Sequence, residues 1–178
     1  MTCTKRNLPK LIFMLSLFCF VACRQNKPAD RHQNTDGTRK QLVEVNRILV
    51  QKDQQRIKGY IERQNLDMKE TETGLWYVIE SEGDGPEAET GRRATINFRV
   101  SLLDGTECYN SDREGPKIFT IGRGGVESGL EEGILLMKEG SRAKFIMPPY
   151  LAHGLPGDGK RIPARAIIVY DVELISLN

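Results

Sequence analysis

Arg92-Arg93-Ala94-Thr95-Ile96-Asn97-Phe98-Arg99-Val100-Ser101-Leu102-Leu103-Asp104-Gly105 is the stretch that decides the fold. Ala94, Ile96, Phe98, Val100 and Leu102 fall on one side of a period-two pattern, and Thr95, Asn97, Arg99 and Ser101 fall on the other. That alternation predicts a strand with one buried face, and Asp104-Gly105 predicts a hairpin turn after it. Further strands are expected on both sides of this one. Leu75-Trp76-Tyr77-Val78-Ile79 follows Gly74 and ends at Gly83-Asp84-Gly85-Pro86, and Ile118-Phe119-Thr120-Ile121 forms a short strand. Arg142 to Met147 places Ala143, Phe145 and Met147 on one face. In the last strand Ile168, Tyr170, Val172 and Leu174 point one way and Asp171 and Glu173 the other, as in an antiparallel sheet with one wet face.

A single short helix is expected among these strands. Ser128 is placed to cap it, Glu131 to complete a capping box and Gly140 to end it, with Leu130 and Ile134 one turn apart facing the sheet. One short helix on an antiparallel sheet of about five strands is an α+β architecture. The 17 glycines and 8 prolines are scattered among 39% hydrophobic and 28% charged residues, which excludes collagen-like and wholly disordered chains. No basic tract points to nucleic acid.

Five pieces in order carry a resemblance. Thr73-Gly74-Leu75-Trp76-Tyr77-Val78-Ile79, Leu103-Asp104-Gly105-Thr106, Ser128-Gly129-Leu130-Glu131-Glu132-Gly133, Met137-Lys138-Glu139-Gly140 and Tyr170-Asp171-Val172-Glu173-Leu174 resemble the FKBP-type peptidyl-prolyl isomerases, over roughly residues 70–178. The resemblance implies an FKBP-like sheet wrapped on its helix and rotation about X–Pro bonds as the activity. That rotation is slow because amide resonance sets a barrier of about 18–20 kcal/mol. A half-rotated amide has a less polar carbonyl, so an apolar pocket costs it less desolvation than it costs the planar form. The reaction requires no nucleophile, metal or cofactor.

Carried over residue by residue, the resemblance implies a pocket formed by Phe98, Phe119, Val126, Leu130, Ile162 and Tyr170, with His153 and Tyr109 at its edge. Phe98 and Tyr170 exchange phenylalanine and tyrosine relative to the family and keep the ring. His153 stands for a tyrosine that donates to the bound carbonyl, and a histidine nitrogen can also donate. Cys108 stands for an aromatic, Tyr109 for an aspartate, Lys117 for an aromatic, Glu127 for an aliphatic and Leu130 for the tryptophan of the floor. These departures imply a deeper pocket partly refilled by Tyr109 and a Glu127–Lys117 rim that favours charged residues beside the client proline. They also imply reduced activity and weak binding of the family's macrolide inhibitors.

Other features carry no chemistry. Gly122-Arg123-Gly124-Gly125 lacks a following Gly-Lys-Ser/Thr and is expected to be a turn at the pocket mouth. His32 and His153, the two histidines, have no ligand-spaced partners, so no metal site is expected. Cys108 reads as a half-buried thiol. Trp76 lies in the first strand and does not replace the floor tryptophan.

The N-terminal part differs in kind. Lys5, Arg6 and Lys10 precede a 12-residue apolar run, Leu11 to Ala22, too short to span a membrane and suited to a secretory signal over residues 1–22. Those three bases leave 23 basic against 24 acidic residues, so the formal charge of +2 belongs to targeting. Phe20-Val21-Ala22-Cys23 resembles a bacterial lipobox with Phe20 in the usual leucine's place, which makes Cys23 the expected lipidated residue. With Cys3 and Cys19 in the signal, Cys108 has no disulfide partner in the folded domain. Residues 23–39 are expected to be a flexible tether, because Arg24 to Arg39 contains no Leu, Ile, Val, Phe or Met. Arg24-Gln25-Asn26-Lys27 has no acidic residue of the kind that can mark surface export in related lipoproteins, which favours a periplasm-facing anchor.

Residues 40–65 turn helical, with Leu42, Val45 and Leu49 and then Ile57, Tyr60 and Ile61 at helical spacing. The polar run Gln51 to Arg56 interrupts the stripe and argues against a long coiled coil. This helix is read either as a dimerisation or client-gripping element or, preferably, as one resting its side on the isomerase domain of residues 66–178. The signal, lipobox and helix resemble the envelope lipoprotein branch of the family, including gliding-motility-associated isomerases. The expected function is isomerisation of X–Pro bonds in exported polypeptides. The alternatives are a non-catalytic chaperone or adaptor on the same fold and a structural lipoprotein that does not use the pocket.

Overall fold

The computed structural model describes residues 31–178, with side chains from residue 37 onward. The expected signal over residues 1–22, Cys23 and residues 24–30 of the expected tether lie outside the described residues. The chain divides into two units, Met1–Glu44 and Val45–Asn178. Helix α1 runs over Arg31–Gln64. It begins earlier than the expected Lys40, so residues 31–39 are helical where a tether was expected. A helix closes its hydrogen bonds within itself, so residues 31–39 extend the helix that follows without any apolar residue to bury, although Thr35, Gly37 and Thr38 are weak helix formers.

Within the second unit the strands are β1 (Lys69–Glu70), β2 (Trp76–Ser81), β3 (Arg93–Leu102), β4 (Glu107–Asn110), β5 (Lys117–Thr120), β6 (Arg142–Met147) and β7 (Ile168–Leu177). They form one antiparallel sheet of seven strands in the order β1-β2-β6-β7-β3-β4, with β5 also paired to β3. The expected five strands omit β1 and β4. Two and four residues are too few to display a period of two, and both strands exist because a longer neighbour supplies their partners. Two short helices lie between strands where one was expected, α2 (Ser111–Glu114) and α3 (Ser128–Ile134).

The alternation in β3 and β7 sorts the two faces as expected. Ala94, Ile96, Val100, Ile168, Tyr170, Val172 and Leu174 are buried in the main core with Leu130 and Ile134 of α3. Gly133 permits the close approach of α3 to the sheet, because a Cβ there would stand 2.7 Å from the Phe145 ring. The start of α3 differs from expectation. Glu127 is its N-cap residue and makes no side-chain capping bond, while the Ser128 hydroxyl donates to the Leu151 carbonyl at 3.4 Å. Glu131 instead accepts from the Gly124 amide at 2.9 Å and ties the helix to the glycine-rich turn before it. The helix stops at Ile134, with Gly140 farther along in the turn that precedes β6.

The second half of α1 packs on the opposite face of the sheet. Ile57 is fully buried against Ile146, Ile167 and Val169, flanked by Tyr60, Ile61 and Trp76. Gln54 accepts from the Trp76 indole at 3.1 Å, and Asp53 pairs with Arg165 at 2.6 Å. The polar run Gln51 to Arg56 therefore holds a docking pair rather than a gap. Leu42 and Val45 of the expected stripe are exposed.

Candidate functional site

The register of three strand pairs assembles the site. Tyr109 of β4 and Tyr170 of β7 both stand opposite Val100, and Lys117 of β5 stands opposite Ile96. Cross-strand partners share a face, so these side chains join Phe98 on the core side of the sheet. Glu127 enters from the start of α3. His153 and Asp158 come from the long connection between the 3-10 turn Pro149–Leu151 and β7.

Together they line a cavity of about 410 Å³ with Val100, Glu114, Pro116 and Lys160. The Phe98 and Tyr170 rings form two of its walls, their centroids 6.0 Å apart and their planes tilted by 40°. The Lys117 ammonium donates to the Tyr170 hydroxyl at 2.6 Å and lies 3.5 Å from a Glu127 oxygen. It also lies 5.0 Å from the Phe98 centroid, within cation–π range, whereas its 5.3 Å from the Tyr170 centroid places it just beyond the hydroxyl and near the plane of that ring. Burial, reinforced by the Glu127 carboxylate, pushes the Tyr170 hydroxyl far above the usual phenol range, so it remains protonated. His153 Nε2 stands 3.1 Å from Glu127 but out of line for a hydrogen bond, buried without one.

The loop behind the cavity mouth is organised by Asp158. Its carboxylate accepts from the Lys160 amide at 2.8 Å, the Ile162 amide at 2.9 Å and the Tyr109 hydroxyl. The turn needs glycine at Gly157, where φ is 72° and a Cβ would stand 2.3 Å from the Ile162 carbonyl oxygen. Burial pushes the Asp158 carboxyl up, but these donated bonds outweigh it and hold the pKa at about 2, from an ordinary 3.8. A depressed carboxylate pKa contributes stability above the unfolded value and loses it as pH falls. Wild-type stability is therefore expected to decline between pH 4 and pH 2 with a component that Asp158→Asn lacks, measured by urea unfolding at each pH. Parallel declines would show that Asp158 is not the linked group.

Of the residues expected at the site, the structure brings Phe98, Tyr109, His153 and Tyr170 together on the cavity lining. Phe119, Leu130 and Ile162 lie in the buried core, and Val126 is half-buried against it. Lys117 and Glu127, expected at the rim, both line the cavity, with the Glu127 side chain only 9% exposed. Asp158 and Lys160 were not anticipated, since a loop aspartate gives no sequence signal until its amide partners are placed. Cys108 is buried and its thiol is pushed up, chiefly by that burial.

Three comparisons bear on this arrangement. A relative from Aeromonas hydrophila, "FKBP-type peptidyl-prolyl cis-trans isomerase FkpA", is 39% identical over 112 residues, 62% of this chain and 41% of that protein. This chain spans less than half the length of the FkpA relatives it matches. "Peptidyl-prolyl cis-trans isomerase Fkbp12" of Drosophila melanogaster is 37% identical over 107 residues, 59% of this chain and 99% of that one. The crystal structure of AtFKBP13 superposes with a TM-score of 0.61 at 29% identity, covering 63% of this chain and 99% of that chain. Residues 85–175, just over half the sequence, match the family model for FKBP-type peptidyl-prolyl cis-trans isomerase, and the chain belongs to that family.

Proposed function

We propose that this protein turns X–Pro bonds of exported polypeptides, held on a bacterial envelope membrane through lipidated Cys23 and facing the periplasm. The observation that carries the isomerase reading is the pair of tilted rings, Phe98 and Tyr170, that wall the 410 Å³ cavity. A prolyl ring is apolar and flat-sided, and two aromatic faces hold it while leaving the preceding carbonyl free to swing. The twisted amide has lost resonance and part of its carbonyl dipole, so it leaves water more cheaply than the planar amide. The cavity works on that difference alone, with hydroxyl and ammonium donors at its edge to orient the chain. The anchoring reading rests on the basic start, the 12-residue apolar run and Phe20-Val21-Ala22-Cys23.

The test is a prolyl-isomerisation assay on the full chain with X–Pro peptides. Phe98→Ala, which removes one half-buried wall, is expected to lower kcat/KM by about tenfold or more, equivalent to about 1.4 kcal/mol of transition-state stabilisation. Circular dichroism of the variant verifies that it is folded. A second reading, a non-catalytic chaperone or adaptor, is favoured by the Lys117 ammonium inside the cavity, on the Tyr170 hydroxyl and 5.0 Å from the Phe98 centroid. Folded wild-type protein that accelerates no peptide would leave that reading in place of the first.

A further inference from the structure

One stretch of chain supplies a whole wall of the cavity. His153, Asp158 and Lys160 all belong to the connection between the Pro149–Leu151 turn and β7, which has no further helix or strand. Phe98, Lys117 and Tyr170, by contrast, are fixed in the ladder of the sheet. A wall without a ladder keeps its place only through contacts at its ends and across its base.

Two adjacent residues of α1 reach both ends. Asp53, 5% exposed, pairs with Arg165 at 2.6 Å, and among the described residues it is the one ionic partner of that guanidinium. The Gln54 amide nitrogen and the Tyr150 hydroxyl crowd the same glycine, since a Cβ at Gly74 would stand 3.1 and 2.3 Å from them. That hydroxyl donates to the Thr73 carbonyl at 3.1 Å. Tyr150 opens the stretch, and Arg165 closes it.

The closing residue is strained. Arg165 has a φ of 56°, in the left-handed region that a residue other than glycine keeps only when its surroundings hold it there. In that conformation its amide donates to the Gly154 carbonyl at 3.1 Å, and the Gly154 amide donates to the Pro149 carbonyl at 2.7 Å. The base of the stretch is thus clasped one residue beyond His153. The His153 Nε2 makes no hydrogen bond although it lies buried 3.1 Å from Glu127, so the backbone decides where the ring stands.

Resting on the isomerase reading for what the cavity holds, we propose that Asp53 is a positioning residue for this site. By holding Arg165 in its left-handed turn it keeps the Gly154–Arg165 clasp closed and His153 against Glu127, so the cavity's grip on a client depends on the second half of α1 being docked. The Phe98 and Tyr170 rings stand in the sheet and do not depend on that brace. Its loss therefore weakens the hold on the client more than the rotation itself.

The experiment compares Asp53→Ala and Asp53→Asn with the wild type, all as the full chain. Anisotropy reads the binding of a fluorescent Ala–Pro peptide, the isomerisation assay reads kcat at saturating peptide, and amide hydrogen exchange reads the Arg165 amide. Asp53→Ala is expected to weaken binding about fivefold, to change kcat by less than about twofold, and to lower Arg165 protection about tenfold with β3 and β7 unchanged. Asp53→Asn keeps an oxygen that accepts from the guanidinium, and its affinity is expected within about twofold of wild type. A folded Asp53→Ala with wild-type affinity and wild-type Arg165 protection would overturn the assignment. Protection falling equally in β3 and β7 would do the same, because Asp53 would then serve general stability. Binding without turnover by the wild type would remove the isomerase reading, and the brace would stand if affinity and Arg165 protection still fell together in Asp53→Ala. Turnover by the wild type with neither quantity moved in Asp53→Ala would do the reverse.

Discussion

Replacing Tyr170 by alanine is expected to lower the unfolding free energy by about 3–5 kcal/mol, the range for aromatic truncation in a packed core. Tyr170 is fully buried on β7, with Val100 of β3 and Phe145 of β6 as its cross-strand partners, so it sits where three central strands meet. No neighbour can relax into the space, because both flanking strands are fixed by their own ladders. The same substitution removes a wall of the cavity and the hydroxyl that holds Lys117. Tyr170→Phe separates the two roles. It keeps the ring and the packing, and its cost is expected at about 1 kcal/mol, since the released ammonium retains Glu127 and water. Urea unfolding of both variants measures the difference. An alanine variant within about 1 kcal/mol of wild type would show that the ring is not part of the core.

The second large effect is expected at Ile57, on the other side of the sheet. Ile57→Ala should cost about 2–5 kcal/mol, because the side chain is fully buried among Ile146, Ile167 and Val169. The loss is expected to be local. Few groups hold the second half of α1 to the sheet: Ile57, half-buried Tyr60 and Ile61, the Asp53–Arg165 pair and the Gln54–Trp76 bond. Weakening the first of these should let residues 50–63 undock while β3 and β7 stay closed. Amide hydrogen exchange reads this directly, with protection in α1 falling and that in β3 and β7 unchanged. A parallel loss in all three would mean that the helix and sheet open as one cooperative unit.

Much of this was legible in the chain. β3, β6 and β7 announce themselves because six to ten alternating residues outlast local noise, and α3 because Leu130 and Ile134 fall one turn apart between them. The same alternation placed Phe98 and Tyr170 on the buried side, and the resemblance to the isomerases added Tyr109 and His153. The start of α1 was hidden because residues 31–39 contain no apolar residue from which a helical period could be read. The α3 cap was misread because Ser128 and Glu131 have the right spacing, yet the backbone turns into the helix one residue earlier and sends both side chains to other partners.

What the sequence by itself determined is the longer elements, β2, β3, β6, β7, α3 and the second half of α1, and which face of the long strands is apolar, since both follow from the period of nearest neighbours along the chain. What only the tertiary structure decided is the company those side chains keep inside the cavity. Lys117, Glu127 and Tyr170 come from β5, the start of α3 and β7, and the family resemblance assigned them to one pocket without giving their contacts. Strand register sets Lys117 opposite Ile96 and Tyr170 opposite Val100, and the approach of α3 brings the carboxylate to them. An ammonium held on the Tyr170 hydroxyl beside a buried carboxylate is a property of that three-way meeting. No spacing along the chain encodes it, because its energy comes from contacts between segments that the fold alone makes neighbours.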